Sequence, residues 1–253
     1  MRHYKDRAIV LKRKKFGEAS NLITVFSKSH GKINILAKGS SKIKSKFLGH
    51  IEPLSLIEFS AVSGRSFEIL TSSQIEKSFH LLKEDLRKVS YLNLICEALD
   101  SLTCEKQSNP KAFNLLLAIF SSKAFNLSPD LLVPFFLLNL LKLLGYAPHL
   151  DFCLKCKEKD FTETYFSFYW GGIICKDCKD HHFQKKISYN LVKVFKIFLI
   201  MPEYSDIDNY FEILDPKINS DLRKEALKIA SDFFNFINEG KPNSLKFLEK
   251  TVF

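Results

Sequence analysis

Between residue 7 and about residue 75, apolar positions come in short bursts rich in β-branched and aromatic side chains. Ala8–Lys12, Leu22–Phe26, Lys32–Ala37, Leu54–Ala61 and Ser66–Leu70 are divided by Gly17, by His30-Gly31, by the stretch from Gly39 to Gly49 and by Ser63-Gly64. Glycine and short polar residues at such intervals mark turns between strands. Within the third burst Ile33, Ile35 and Ala37 alternate with Lys32, Asn34 and Leu36, mostly the two-residue period of a sheet with one buried face. Five strands in about 65 residues predict a small closed barrel, of which the OB-fold is the commonest among nucleic-acid binders. An SH3-like barrel fits the same pattern.

From about residue 76 the period becomes helical. Leu82, Leu86, Val89, Leu92, Cys96 and Leu99 fall at steps of three and four, tracing one face of a helix. Asn109-Pro110 and Ser128-Pro129-Asp130 are cap and first-turn signals before Phe113, Leu116, Leu117 and Phe120 and before the run Leu131–Leu144. That run of 14 residues contains Pro134, Asn139 and Lys142. It is shorter than the about 18 apolar residues of a membrane span, and it reads as a central buried helix ended by Gly145, with Pro134 near its first turn. Asn190–Met201 and Leu222–Ile237 predict two more helices. The change of period predicts an α+β chain: an N-terminal barrel over residues 1–78 and a helical domain over 79–253.

Charge sharpens this division. The 253 residues hold 38 Lys and Arg against 28 Asp and Glu, but the first fifty hold 13 basic and 2 acidic residues, so the rest is nearly balanced. A basic module on a neutral remainder points to a polyanion, because phosphate contacts release condensed counterions. A membrane surface is the competing partner, but no run is long enough to span one. The opening MRHYKDRAIVLKRKK has only four apolar residues between its charges, too few for a secretory signal, and the expected location is the cytoplasm. The cations fall in two clusters, Lys12-Arg13-Lys14-Lys15 and Lys38, Lys42, Lys44 and Lys46 within a Gly- and Ser-rich loop. Phe16 and Phe47 stand beside them as stacking platforms or, more simply, as core residues. Phosphate-loop, dinucleotide, nucleophile-elbow and zinc-protease motifs are missing from the sequence. Glu203, Asp206, Asp208 and Glu212 read as a solvated loop. The chain reads as a binder, not an enzyme.

Cys96 and Cys104 fall on or near the first helical pattern and read as inert. Cys153, Cys156, Cys175 and Cys178 are different: they form C-x2-C-x18-C-x2-C, in which each pair offers two thiolates from a tight knuckle to one ion. A redox dithiol, two disulfides and coincidence are the alternatives. Tyr165, Phe166, Phe168, Tyr169, Trp170 and Gly171-Gly172 between the pairs suit a short hairpin. Four thiolates would close the coordination sphere and make one Zn2+ per chain structural, with residues 150–182 as a zinc ribbon. His181 and His182 are read as loop residues outside the site.

Several segments together resemble the RecO family of bacterial recombination mediators. They are AIVLKRKKFGEASNLITVFSKSHGKINILAKGSSKIKS, LLKLLGYAPHLDFCLKC with GGIICKDC, and SLKFL. Lys157 stands where that family often has Gly after the second cysteine, which bears on the shape of the knuckle. The resemblance implies an OB-fold followed by a helical domain with a zinc ribbon. It implies a nucleoid-associated, non-enzymatic protein that binds single- and double-stranded DNA and anneals complementary strands. Its partners would be RecR, the C-terminal tail of single-stranded DNA-binding protein, and, less directly, RecF and RecA. On that basis Arg13, Lys15, Lys38, Lys42, Lys44 and Lys46 are expected to hold phosphates. A zinc-ribbon RNA-binding factor of ribosome assembly or translation is the alternative that the residues leave open.

Overall fold

The computed structural model describes residues 3–240 apart from 43, 48, 84, 160–161, 202–203 and 205, together with Ser244. Glu203 and residues 245–248 of the SLKFL segment therefore lie outside the described residues. Residues 1–89 with 99–121 form one compact unit, and residues 90–98 with 122–253 form a second.

The first unit is built on five strands: β1 His3–Phe16, β2 Ser20–Ser27, β3 Gly31–Ala37, β4 Ser55–Val62 and β5 Glu68–Ser78. Their order around the sheet is β1-β2-β3-β5-β4, and pairing of β1 with β4 closes it into a barrel. The expected five-stranded OB-type barrel is thus present, with β1, β2, β3 and β5 longer than the bursts suggested and β4 displaced by one residue. All pairings are antiparallel except β3 with β5, which meet in parallel only at Ile35↔Glu68 and Leu36↔Ile69. Alternation places Ala8, Val10, Ile23, Val25, Ile33, Ile35, Ala37, Ile57, Phe59, Ala61 and Leu70 in one buried cluster, the dominant source of stability in a small barrel. Phe47 and Ile51 enter that cluster from the β3–β4 loop.

The short β3·β5 seam leaves Gly31–Asn34 without a β5 partner, and residues 103–107 cover that edge. The Lys106 amide donates to the Lys32 carbonyl at 2.8 Å, its ammonium pairs with Glu68 at 2.7 Å, and the Asn34 amide donates to the Glu105 carboxylate. The Lys32 carbonyl at the sheet edge is thereby satisfied within the unit. Cys104 is exposed in this strap, beyond the end of the helix whose sequence pattern it lies near. At the β2–β3 turn, the buried Asp6 carboxylate accepts from the Ser29 amide and hydroxyl at 3.1 Å each and from the Ser27 hydroxyl. It also lies 2.9 Å from His30 Nδ1.

Helix α1 spans Leu86–Leu102, and Asp85 caps it by accepting from the Arg87 amide at 2.7 Å. Leu82, expected on this helix, lies in a separate 3-10 turn, His80–Lys83. Helix α2, Pro110–Ser121, is capped as its sequence indicates: Asn109 Oδ1 accepts from the Ala112 amide at 3.0 Å.

In the second unit the short α3, Ala124–Leu127, leads into α4, Pro129–Leu143, in which every residue from Leu131 to Leu141 is buried. The nearly all-round apolar pattern is therefore explained by burial, with α5 (Tyr189–Ile200) and α7 (Ser220–Ile237) packed on it. Pro134 lies in the second turn. Ser128 does not cap α4 with its side chain; the hydroxyl donates to Asp215 instead. Asn139 is fully buried with its amide donating to the carbonyls of Phe135 at 2.9 Å and Phe198 at 3.0 Å, which meets the requirement that a buried polar group find partners.

The acidic segment is a correction to the loop reading. Residues Ile207–Leu214 form helix α6, which buries Ile207, Phe211 and Leu214, and Asp208 accepts from the Ser122 hydroxyl and the Ala124 amide. Its apolar spacing was obscured by the carboxylates that share the turn. Strands β6 Thr164–Ser167, β7 Gly172–Cys175 and β8 Gln184–Ile187 form a separate sheet in the order β7-β6-β8. Gly172 is fitted to that place: a Cβ there would lie 2.3 Å from the His149 carbonyl oxygen. Among the described residues no helix is long and apolar enough to cross a membrane.

Candidate functional site

The two basic clusters, separate in sequence, meet at one end of the barrel. The Ser41 amide donates to the Ala19 carbonyl at 3.1 Å, and Asn21 Nδ2 donates to the hydroxyls of Ser40 at 2.8 Å and Ser41 at 3.0 Å. These bonds tie the start of the basic loop to the tip of the β1–β2 hairpin, where Gly17 takes a φ of 64°. The loop and the hairpin that carry the lysines are therefore one surface.

Not every cation on it is free to meet an anion. Arg13 pairs with Glu52, Lys12 and Lys32 with Asp100, Lys5 with Glu58 and Arg7 with Glu76. Lys46 donates to the Thr71 carbonyl at 2.7 Å and lies over the Phe47 ring. Lys14, Lys15, Lys38, Lys42 and Lys44 are exposed, and none of them has an acidic partner among the described residues. They leave positive charge open to solvent at this end of the barrel. Phe47, named as a platform, is 4% exposed inside the barrel core, so stacking on it is excluded by packing. Phe16 is 44% exposed and meets Phe67 edge to face at 5.7 Å.

Strand register separates the β1 cations further. Arg13 pairs with Ile23 and Lys15 with Asn21, whereas Lys14 pairs with Leu22. Paired residues share a face and neighbours alternate, so Arg13 and Lys15 lie on one face and Lys14 and Phe16 on the other. Lys14 belongs to the first basic cluster but not to the residues expected to hold phosphates, and the sequence does not single out Phe67. For Lys14 the signal was available as alternation along KRKKF, but Phe67 acquires significance only through its contact with Phe16.

The four cysteines of the second motif also come together. Their sulfurs all lie within 4.8 Å of one another, with Cys156 and Cys175 at 3.8 Å. Cys153 and Cys175 are buried, Cys178 is half-buried and Cys156 is exposed. Cys175 ends β7, Cys178 closes the 3-10 turn that follows it, and the first knuckle is closed by the Lys157 amide donating to the Cys153 carbonyl at 2.8 Å. Burial pushes the Cys153 thiol up, but the amides of Cys156, Cys175 and Lys155 directed at its sulfur more than offset this and bring it to about 6. Burial and the neighbouring thiols push Cys178 up to about 12. Amides aimed at sulfur favour thiolate, and four crowded sulfurs need a cation before all can ionise. The donor set fits a tetrahedral, closed metal site. His182 instead stacks on Tyr169 with centroids 3.9 Å apart.

Lys157 adopts a φ of 66°. The knuckle keeps the left-handed turn that glycine would favour.

Comparison with known proteins covers most of the chain. The family described as Recombination protein O N terminal matches residues 1–79, and Recombination protein O C terminal matches residues 83–236. The chain belongs to the RecO family of DNA repair proteins. A protein named DNA repair protein RecO from Dehalococcoides mccartyi is 31% identical over 247 residues, covering 97% of this chain and 95% of the relative. Proteins of the same name from Alkaliphilus metalliredigens and Clostridium perfringens are 30% and 27% identical, covering 90% and 95% of this chain and 91% and 95% of their own lengths. Membership in this family gives the positive barrel end a nucleic-acid context.

Proposed function

We propose that this chain is a recombination mediator that binds single- and double-stranded DNA, anneals complementary strands, and acts with RecR to help load RecA onto DNA covered by single-stranded DNA-binding protein. The observation that carries this reading is the joined surface of the β1–β2 hairpin tip and the 38–46 loop, seen in a chain that matches the family over residues 1–79 and 83–236. Lys15, Lys38, Lys42 and Lys44, joined by Lys14, would hold phosphates. Arg13 and Lys46 would contribute after leaving Glu52 and the Thr71 carbonyl. Cations between two strands reduce their repulsion and leave the pairing edges of most bases available. This action needs no chemical step, and catalytic residues are not assigned.

Cys153, Cys156, Cys175 and Cys178 would hold one structural Zn2+, joining the start of the ribbon to the end of β7. RecF is a more remote partner in the same reading. For the tail of single-stranded DNA-binding protein, which is acidic and hydrophobic, a recess in the second unit has matching chemistry. Leu150, Ile173 and Val192 floor it, and Lys159, Lys193 and Lys196 rim it beside Tyr189. Lys196 pairs with Asp151 at 2.9 Å and Lys193 lies over the Tyr189 ring; an acidic segment would compete for these ammonium groups.

The test is the rate of pairing of complementary strands already coated with their binding protein, measured over a salt series without nucleotide. Acceleration that fades with salt is expected. Absence of acceleration while DNA binding persists would overturn the mediator reading.

A further inference from the structure

Resting on the DNA-binding reading above, we propose that the outer face of the barrel, centred on Phe16 and Phe67, is a stacking platform for unpaired bases of single-stranded DNA. The lysines of the adjoining loop hold only the backbone.

Lys14↔Leu22, Leu22↔Leu36 and Leu36↔Ile69 are successive cross-strand partners over β1, β2, β3 and β5. They form one row across the sheet. Leu36 alternates with the buried Ile35 and Ala37, so this row faces away from the barrel interior. Leu22, Leu36 and Ile69 remain half-buried there. Phe16, two residues beyond Lys14, shares its face, and its ring meets Phe67 at 5.7 Å with the planes at 80°. The β4–β5 loop that carries Phe67 is tightly constrained: a Cβ on Gly64 would lie 2.2 Å from the Phe67 carbonyl oxygen.

An apolar, aromatic strip is a poor surface for a double helix, whose bases are covered by stacking and whose phosphates lie outermost. It suits an unpaired base, which offers a π-face of any sequence. The row begins at Lys14, and Phe16 leads into the hairpin tip and the start of β2, to which residues 39–41 are bonded at Ala19, Ser20 and Asn21. A strand lying along that junction would place phosphates toward the lysines and bases toward Phe16 and Phe67. Charge selects the polyanion, and the aromatic pair selects the unpaired state.

The full chain is titrated with a labelled oligothymidylate, with the same strand carrying abasic sites in its centre, and with a duplex of equal length, each over a salt series. Wild type should bind the intact strand about tenfold more tightly than the abasic strand, the scale of one base stack. Phe16→Leu and Phe67→Leu, which keep apolar bulk but remove the ring, should each shrink that ratio toward unity while leaving the salt slope and duplex binding unchanged. Phe16→Tyr should restore it. Lys42→Ala with Lys44→Ala should show the reverse pattern, with a flatter slope and an intact ratio. Equal wild-type affinity for intact and abasic strands, or a ratio unchanged in both leucine variants, would overturn the platform. No wild-type binding to any of the three DNAs would instead overturn the DNA-binding reading itself.

Discussion

Gly31 joins two requirements at one residue. Its φ is 70°, and a Cβ would lie 1.9 Å from the Gln107 carbonyl oxygen. Gly31→Ala should therefore lose about 3 kcal/mol of stability, from left-handed strain together with displacement of the strap. Urea denaturation checks this, and a loss below about 1 kcal/mol would mean that the strap yields freely. Asp6 gives a pH prediction. Burial would raise its pKa, but donors from Ser27, His30, Arg7 and Ser29 outweigh that and lower it below the usual carboxylate value. A carboxyl more acidic in the folded state binds fewer protons there, so its contribution is present above pH about 4 and disappears as pH falls through the lowered value. Asp6→Asn should flatten that acid limb of stability, measured by thermal unfolding between pH about 2 and 6. Such partners were hidden in the sequence because Asp6 and His30 are joined only when β1 and the β2–β3 turn are brought together.

At the scale of elements, the lysine loop and cysteine knuckles differ in how much their residue types reveal. C-x2-C pairs carry their own geometry, so the metal candidate was legible before folding was considered. On the zinc reading proposed above, Cys153→Ser should abolish metal binding, lower the stability of the second unit, and leave the barrel's thermal transition in place; metal content and calorimetry decide this. A bound zinc of this type contributes on the order of 10 kcal/mol to folding. Lysines carry no such geometry, and only the structure distinguishes committed ammonium groups from available ones. Lys42→Ala and Lys44→Ala should each reduce the salt slope of DNA binding by about one unit, with a smaller effect from Lys46→Ala because its ammonium already bonds the Thr71 carbonyl. Equal effects at all three positions would contradict the commitment of Lys46. Helix α6 was hidden for a related reason: Asp206, Asp208 and Glu212 suggested solvent, whereas Ile207, Phe211 and Leu214 are buried on its other side.

For the whole molecule, the position of the strap changes what an isolated barrel would be. Residues 99–121 belong to the first unit, and residues 103–107 cover the β3 edge. A fragment ending at residue 79 lacks the Lys106 amide that bonds the Lys32 carbonyl, so the β3 edge should open, with faster amide exchange along β3 and association through that edge, as hydrogen exchange and sedimentation would show. Protection equal to that in the full chain would show the strap to be dispensable. The strand bursts, the change to helical period, the basic first fifty residues and the cysteine spacing were determined by the sequence itself. Each follows from local periodicity, composition or short-range covalent reach. Closure of β1 on β4, the covered β3 edge, the meeting of Phe16 with Phe67 and the choice of available lysines were decided by tertiary structure. These depend on contacts between residues far apart in the chain, and no local pattern specifies which distant partner will satisfy a sheet edge or neutralise a charge.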